Sequence, residues 1–234
     1  MTASGAISIP RCEQDYNMKI IYNDNEIAVC LKPAGVLSEG SVGDGSMVGL
    51  IAQALGTDKV FPVHRLDRET NGLMVYALNE RAAAALSRAV AEHRLEKKYI
   101  AHVIGKPEPE SGEMHDLLYY DRQRNKSFAV KKERRGVKSA SLSYETLDFC
   151  EETGISRVLV TLHTGRTHQI RVQFASRKLP LCGDRKYGAP AEYGNALRLT
   201  SVFLSFPHPK SGERLTFELD EKNNCEFFEK PFTI

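Results

Sequence analysis

Apolar residues in this chain come in short runs punctuated by turn-forming residues, the pattern of a strand-rich fold with a few separate helices. Ile20-Ile21-Tyr22 and Ile27-Ala28-Val29-Cys30-Leu31 have strand length and composition, and Asn23-Asp24-Asn25-Glu26 between them has the composition of a turn. Lys32-Pro33-Ala34-Gly35 ends the second strand. Ser46 is placed to cap a helix with Met47, Ile51, Ala54 and Leu55 on one side, stopped by Gly56. Residues 73–77 predict a strand. Asn79 then caps a second helix whose Ala83, Leu86 and Val90 share a face. Further strands are predicted at 100–104, 142–147 and 158–162, the last two joined through Glu151-Glu152-Thr153-Gly154. Past Gly165 the spacing of Ile170, Phe174 and Arg177 turns helical, and strands follow at 197–206 and 215–219. Hairpin-like strands with separate helices indicate α+β rather than alternating βα units. Residues 1–17 are weakly patterned and expected to be a flexible leader, with 18–234 as one domain.

The composition, 41% hydrophobic and 26% charged over 234 residues, is that of an ordinary globular protein. No apolar run approaches the ~18 residues of a membrane helix, and residues 1–10 lack the basic start and apolar core of a signal peptide. No membrane association is expected, and the cytoplasm is the expected compartment. Five scattered cysteines without a CxxC pair read as reduced thiols, and the seven histidines show no metal-ligand spacing, so neither disulfide nor metal is expected.

The net charge of +2 hides an uneven distribution. Between residues 121 and 138, Arg122, Arg124, Lys126, Lys131, Lys132, Arg134, Arg135 and Lys138 face only Asp121 and Glu133, whereas the last twenty residues are richer in acids. A basic face of this kind suits a nucleic-acid backbone, and equally a solvated loop.

The most informative stretch is Val63-His64-Arg65-Leu66-Asp67-Arg68-Glu69-Thr70-Asn71-Gly72-Leu73, which sets one carboxylate between two guanidinium groups just before a strand. A carboxylate beside arginines is held ionised and can act as base or nucleophile, and the cations would attract phosphate. The same pattern also describes a surface ion pair worth under about 1 kcal/mol.

Three further blocks follow in order: Lys97-Lys98-Tyr99-Ile100-Ala101-His102-Val103-Ile104-Gly105, then Leu162-His163-Thr164-Gly165-Arg166-Thr167-His168-Gln169-Ile170-Arg171-Val172, then Pro180-Leu181-Cys182-Gly183-Asp184-Arg185-Lys186-Tyr187-Gly188. Together with the first, they resemble the RluA family of pseudouridine synthases, whose signatures are HRLDxxTSGL, KxYxAxVxG, TGRxHQIRVH and PIxGDxxYG. The likeness runs from about residue 23 to about residue 209. It implies a pseudouridine synthase fold, a long mixed, mainly antiparallel sheet flanked by helices with a central catalytic cleft. Because only about 20 residues precede the first strand, the N-terminal S4 domain of many relatives is expected to be absent.

The resemblance implies that Asp67 is the catalytic carboxylate, Arg171 its ion-pair partner and Tyr99 the pocket tyrosine that stacks on uracil and assists removal of the C5 proton. Arg65 matches the residue implicated in filling the space left by a flipped base, a role its planar cation suits. Arg166 and His168 are expected to orient the loop and phosphates, while His64 either contacts the RNA backbone or supports the loop. His102 and His163 are assigned to structure. Lys131, Lys132, Arg134 and Arg135 fall where the family has an RNA-contacting hairpin. The isomerisation adds and removes no atoms, so no cofactor is expected. The implied partner is structured RNA, ribosomal or transfer, and a monomer with no required protein partner is expected.

Asn71 stands where the family has Ser, Gln173 where it has His, and Ser176-Arg177-Lys178 where a Gly-containing segment is common. Two other functions compete. A non-catalytic RNA-binding module would be favoured by loss of Asp67, Tyr99 or Arg171, and all three are present. A carboxylate-dependent nuclease or glycosidase needs a second acid, and Glu69 is the nearest one.

Overall fold

The computed structural model describes residues 18–219. The expected leader, Cys12, Cys225 and the acidic end of the chain lie outside the described residues. Eleven strands form one sheet in the order β1-β2-β4-β10-β5-β9-β8-β6-β7, with β3 on β4 and β11 on β10. These are β1 (Lys19–Asn23), β2 (Ile27–Lys32), β3 (Phe61–Pro62), β4 (Asn71–Ala77), β5 (Glu96–Ile104), β6 (Ser111–Asp121), β7 (Lys126–Val130), β8 (Val137–Cys150), β9 (Ile155–Leu162), β10 (Leu199–Pro207) and β11 (Arg214–Glu218). All pairings are antiparallel except β4 with β10. The α+β, mainly antiparallel sheet expected from the sequence is the one observed.

The period of two along the central strands makes two cores, one on each side of the sheet. Cys30, Met74, Tyr76, Tyr99, Ala101 and Val160 pack with α1 (Met47–Leu55) and α3 (Gln169–Ser176), while Val29, Leu31, Leu73, Val75, Ile100 and Leu204 pack with α2 (Glu80–Ala91). Burial on both faces explains why β2 reads as an unbroken apolar run rather than an alternating one.

Ser46 Oγ accepts from Gly49 N, Gly56 closes α1 in the left-handed region, and Asn79 Oδ1 accepts from Ala82 N at 2.8 Å, so both sequence-predicted caps form. The buried faces are rotated from expectation. Ala54 is exposed while Val48 and Ala52 are buried in α1, and α2 buries Ala82, Leu86 and Ala89, leaving Ala83 and Val90 at the margin.

The larger correction concerns residues 111–138. The basic segment read as a loop contains a strand: β7 pairs with β6, and β6 pairs along its length with β8, which is 14 residues long rather than the six predicted. This hairpin lies at the sheet edge with one face toward solvent, so its sequence mixes charged and aromatic residues without a clean alternation. Among the described residues, no helix is long and apolar enough to cross a membrane.

Candidate active site

The turn carrying Asp67 joins β3 to β4, and buried polar contacts fix its shape. Lys32, fully buried at the end of β2, donates to the carbonyls of Pro33 (2.9 Å), Arg68 (2.9 Å) and Thr70 (2.8 Å). Ser38 Oγ donates to Leu66 O and accepts from Leu66 N, Gly35 N donates to Arg68 O, and the Leu66 side chain sits in the core. The segment 33–38 is thereby zipped against 66–70. At Gly72 the backbone has φ 109°, and a Cβ there would strike the Ser201 carbonyl of β10. Glycine is required at that point for both reasons, and it lets β4 enter the sheet directly behind Asp67.

Asp67 is 17% exposed at the base of a cleft of about 990 Å³. Arg171, in the first turn of α3 and 7% exposed, reaches it with Nη1 3.2 Å from Asp67 Oδ2. The rest of the guanidinium is held by Asp184, with Nε 2.7 Å from Oδ2 and Nη2 2.8 Å from Oδ1. Burial alone would lower the Arg171 pKa, but the carboxylates of Asp184 and Asp67 outweigh it and raise it, so the cation is permanent. Asp184 is itself positioned by the tight turn at Gly183, where a Cβ would collide with Ala196 O.

His168, in a left-handed conformation at the start of α3, places Nε2 3.9 Å from Asp67 Oδ2, while its Nδ1 lies 3.0 Å from the Tyr187 hydroxyl. Burial, helped by Arg171 and opposed by Asp67, lowers its pKa to about 4, so the ring is neutral near pH 7. The Tyr187 hydroxyl also contacts the Ser127 backbone, and Lys126 Nζ stands over the Tyr187 ring at 4.9 Å, which ties the basic hairpin to the Asp67 side of the cleft. Tyr99, buried in β5, lines the same cleft, and burial together with the Asp67 charge pushes its hydroxyl pKa up.

The structure thus brings Asp67, Arg171, Tyr99 and His168 together. Arg65 lies on the exposed rim, where its Nη1 is 3.3 Å from Glu39 Oε2. Of the two roles open to His64, its contacts favour loop support: Nε2 accepts from Val75 N at 3.1 Å, and burial lowers its pKa to about 3. Arg166 Nε donates to Ser139 O, and Gln169 braces its loop through Arg166 N, Thr164 Oγ1 and Ser141 O. His163, expected to be structural, lies on the cleft wall with Nε2 2.9 Å from Ser143 Oγ. Lys131, Lys132, Arg134 and Arg135 are exposed on the β7–β8 connection and do not line the cleft, and Arg134 stacks over Tyr119 at 4.7 Å.

Gln173 accounts for one departure from the family pattern, since its amide donates to Met114 O and Asp116 Oδ2 and fastens α3 to β6. Glu69 is exposed and is not among the cleft-lining residues. The second carboxylate at the site is Asp184, whose 1% exposure and bidentate partner leave it no room to act on a substrate. Sequence reasoning gave Lys32, Asp184 and Tyr187 no role, although the GDxxYG spacing of the last two was a signal. Among the described residues, no group of three His, Cys, Asp or Glu side chains gathers as a metal site.

A sequence profile of the family described as RNA pseudouridylate synthase matches residues 26–176. An uncharacterized RNA pseudouridine synthase of Aquifex aeolicus is 36% identical over 222 residues, covering 87% of this chain and 69% of the relative. The dual-specificity RNA pseudouridine synthase RluA of Escherichia coli (strain K12) is 32% identical, covering 85% of this chain and 91% of its own length. In three dimensions the human RNA pseudouridylate synthase domain containing 1 superposes with a TM-score of 0.75 at 22% identity, covering 91% of this chain and 86% of that one, a likeness of fold.

Proposed function

The chain belongs to the RluA-type RNA pseudouridine synthases, enzymes that isomerise uridine to pseudouridine, and on that premise we propose that Asp67 is its catalytic carboxylate, acting on a uridine flipped out of structured ribosomal or transfer RNA. The reaction breaks the bond from uracil N1 to ribose C1′, turns the ring and joins C5 to C1′. C5 loses a proton and N1 gains one, so atoms balance without a co-reactant.

The observation that carries the reading is the buried Arg171, clamped by Asp184 through Nε and Nη2 and pointing Nη1 at Asp67 beside Tyr99. A guanidinium locked in place does not reorganise as charge shifts at the sugar, which is the condition for electrostatic stabilisation of a reacting carboxylate. Tyr99 supplies a flat face for the extruded ring, and because its raised pKa keeps the hydroxyl protonated, it can take the C5 proton only while giving its own to another base. Arg65 exchanges its solvent-exposed bond to Glu39 for the gap in the RNA stack, an exchange that costs little because exposed pairs are weak. The hairpin cations Lys131, Lys132, Arg134 and Arg135 contact backbone phosphates, and alanine at all four would flatten the salt dependence of RNA binding.

The experiment is to sequence pseudouridine in total RNA from cells with and without the gene, then to restore the missing site with purified protein. A site lost with the gene and regained in vitro supports the reading. RNA identical in both strains and untouched by the protein would refute it.

A further inference from the structure

Lys97 is a cation that the proposed chemistry leaves unused. It lines the cleft with Tyr99, and burial lowers its pKa. The alternation of β5 puts Lys97 and Tyr99 on one face, whereas Lys98 turns to the other and stands over the Phe203 ring at 4.9 Å. Among the described residues, no carboxylate, carbonyl or hydroxyl accepts a hydrogen bond from its ammonium. Its charge reaches His64, depressing that ring further, and its side chain is half-buried in the cleft wall. A half-buried cation with no protein acceptor is left to water or to an anion that enters the cleft.

The wall facing Lys97 is built to leave that charge accessible. Gly165 is not in the left-handed region, so its backbone does not demand glycine. A Cβ there would sit 3.7 Å from Lys97 Nζ, in ordinary contact. Glycine at this position leaves that side of the ammonium clear of side-chain atoms. Two residues of strand separate Lys97 from Tyr99, roughly 6–7 Å, a distance within the reach of one nucleotide. A compact ammonium with three donors suits a single phosphate oxygen better than a planar base edge.

We propose that Lys97 and the opening at Gly165 form a phosphate subsite of the cleft, holding the backbone phosphate beside the uridine seated at Asp67 and Tyr99. This rests on the RNA-modifying reading above and adds to it the contact that fixes the strand on one side of the flipped nucleotide.

The test uses the full chain and a synthetic stem–loop carrying the uridine mapped by sequencing, with the phosphates flanking that uridine replaced one at a time by a neutral methylphosphonate. In the wild type, one substitution should weaken binding about tenfold, the value of one charge-assisted contact. Lys97→Met should lose the same factor on natural RNA and nothing more on the substituted one. Its melting temperature should not fall, because the ammonium gives up no protein hydrogen bond. Gly165→Ala, which keeps the charge and sets a methyl group beside it, should lose part of the same factor.

Losses that multiply at both flanking linkages would overturn the subsite, as would Lys97→Met that binds like wild type but no longer turns over, which would make Lys97 a proton-transfer group. If the wild-type chain neither binds nor modifies RNA, the parent reading falls and this falls with it. If it modifies RNA and only the coupling is missing, the subsite alone is wrong.

Discussion

Lys32 to Met replaces the ammonium beneath the Asp67 turn by an apolar chain of similar length. Three carbonyls, of Pro33, Arg68 and Thr70, lose their donor together, the last in a buried bond and the other two in part-buried ones. At roughly 1.5–3 kcal/mol for each hydrogen bond to a charged group, the gross loss is about 4–9 kcal/mol. Part of this returns, because burial of the ammonium is itself unfavourable. Its pKa is lowered to about 8 chiefly by burial, with Glu69 and Asp67 opposing, and 2.5 units below 10.5 corresponds to about 3 kcal/mol. The net destabilisation is therefore about 1–6 kcal/mol. Urea unfolding should show a midpoint lower by roughly 0.5–2.5 M with an unchanged slope. Single-turnover modification by the folded fraction should also slow, since residues 66–70 lose the anchor that aims Asp67. An unchanged midpoint together with an unchanged rate would refute the idea that Lys32 shapes the site.

Asp184→Asn keeps one acceptor for Arg171 but removes the charge, and should cost about 2–3 kcal/mol of stability by urea unfolding while slowing turnover; full activity would mean Arg171 needs no clamp. The buried His64 has its pKa lowered to about 3 from 6.5. The unfolded chain therefore binds the extra proton first, and stability is complete above pH 6.5 and declines as pH falls through the window toward 3. Thermal melts between pH 7.5 and 4.5 should fall less steeply in His64→Gln, and parallel curves would exclude His64 as a source of the acid sensitivity. Arg65→Ala should slow single-turnover reaction on a folded stem–loop more than on an RNA whose uridine is already bulged, because the unstacking cost of a few kcal/mol returns only in the first; equal losses would reject the gap-filling role.

Much of this architecture was legible where local pattern and tertiary demand agree. The unbroken apolar run 27–31 declared a strand buried on two sides, Ser46 and Asn79 declared helix starts, and the four motif blocks pointed to the residues that meet in the cleft. The hairpin of β6 and β7 was not legible, because β6 is held by pairing with β8, 18 to 34 residues away, while the hairpin's own side chains face solvent on one side. Lys32 looked like a strand terminator, since a lysine beside proline and glycine ordinarily marks a turn. Only the fold shows that the strand carries it to three inward carbonyls. Asp184 and Tyr187 stood in a recognised motif, yet their work is done through Arg171 and His168, and contact through a second side chain leaves no trace in one sequence.

The central claim, that the carboxylate of Asp67 performs chemistry rather than holding RNA, is tested by single-turnover pseudouridine formation and RNA binding measured side by side for wild type and Asp67→Asn. Phosphate contacts dominate affinity, so the variant should bind the mapped stem–loop within several-fold of wild type and form no pseudouridine. Turnover retained by the purified Asn variant would contradict the account.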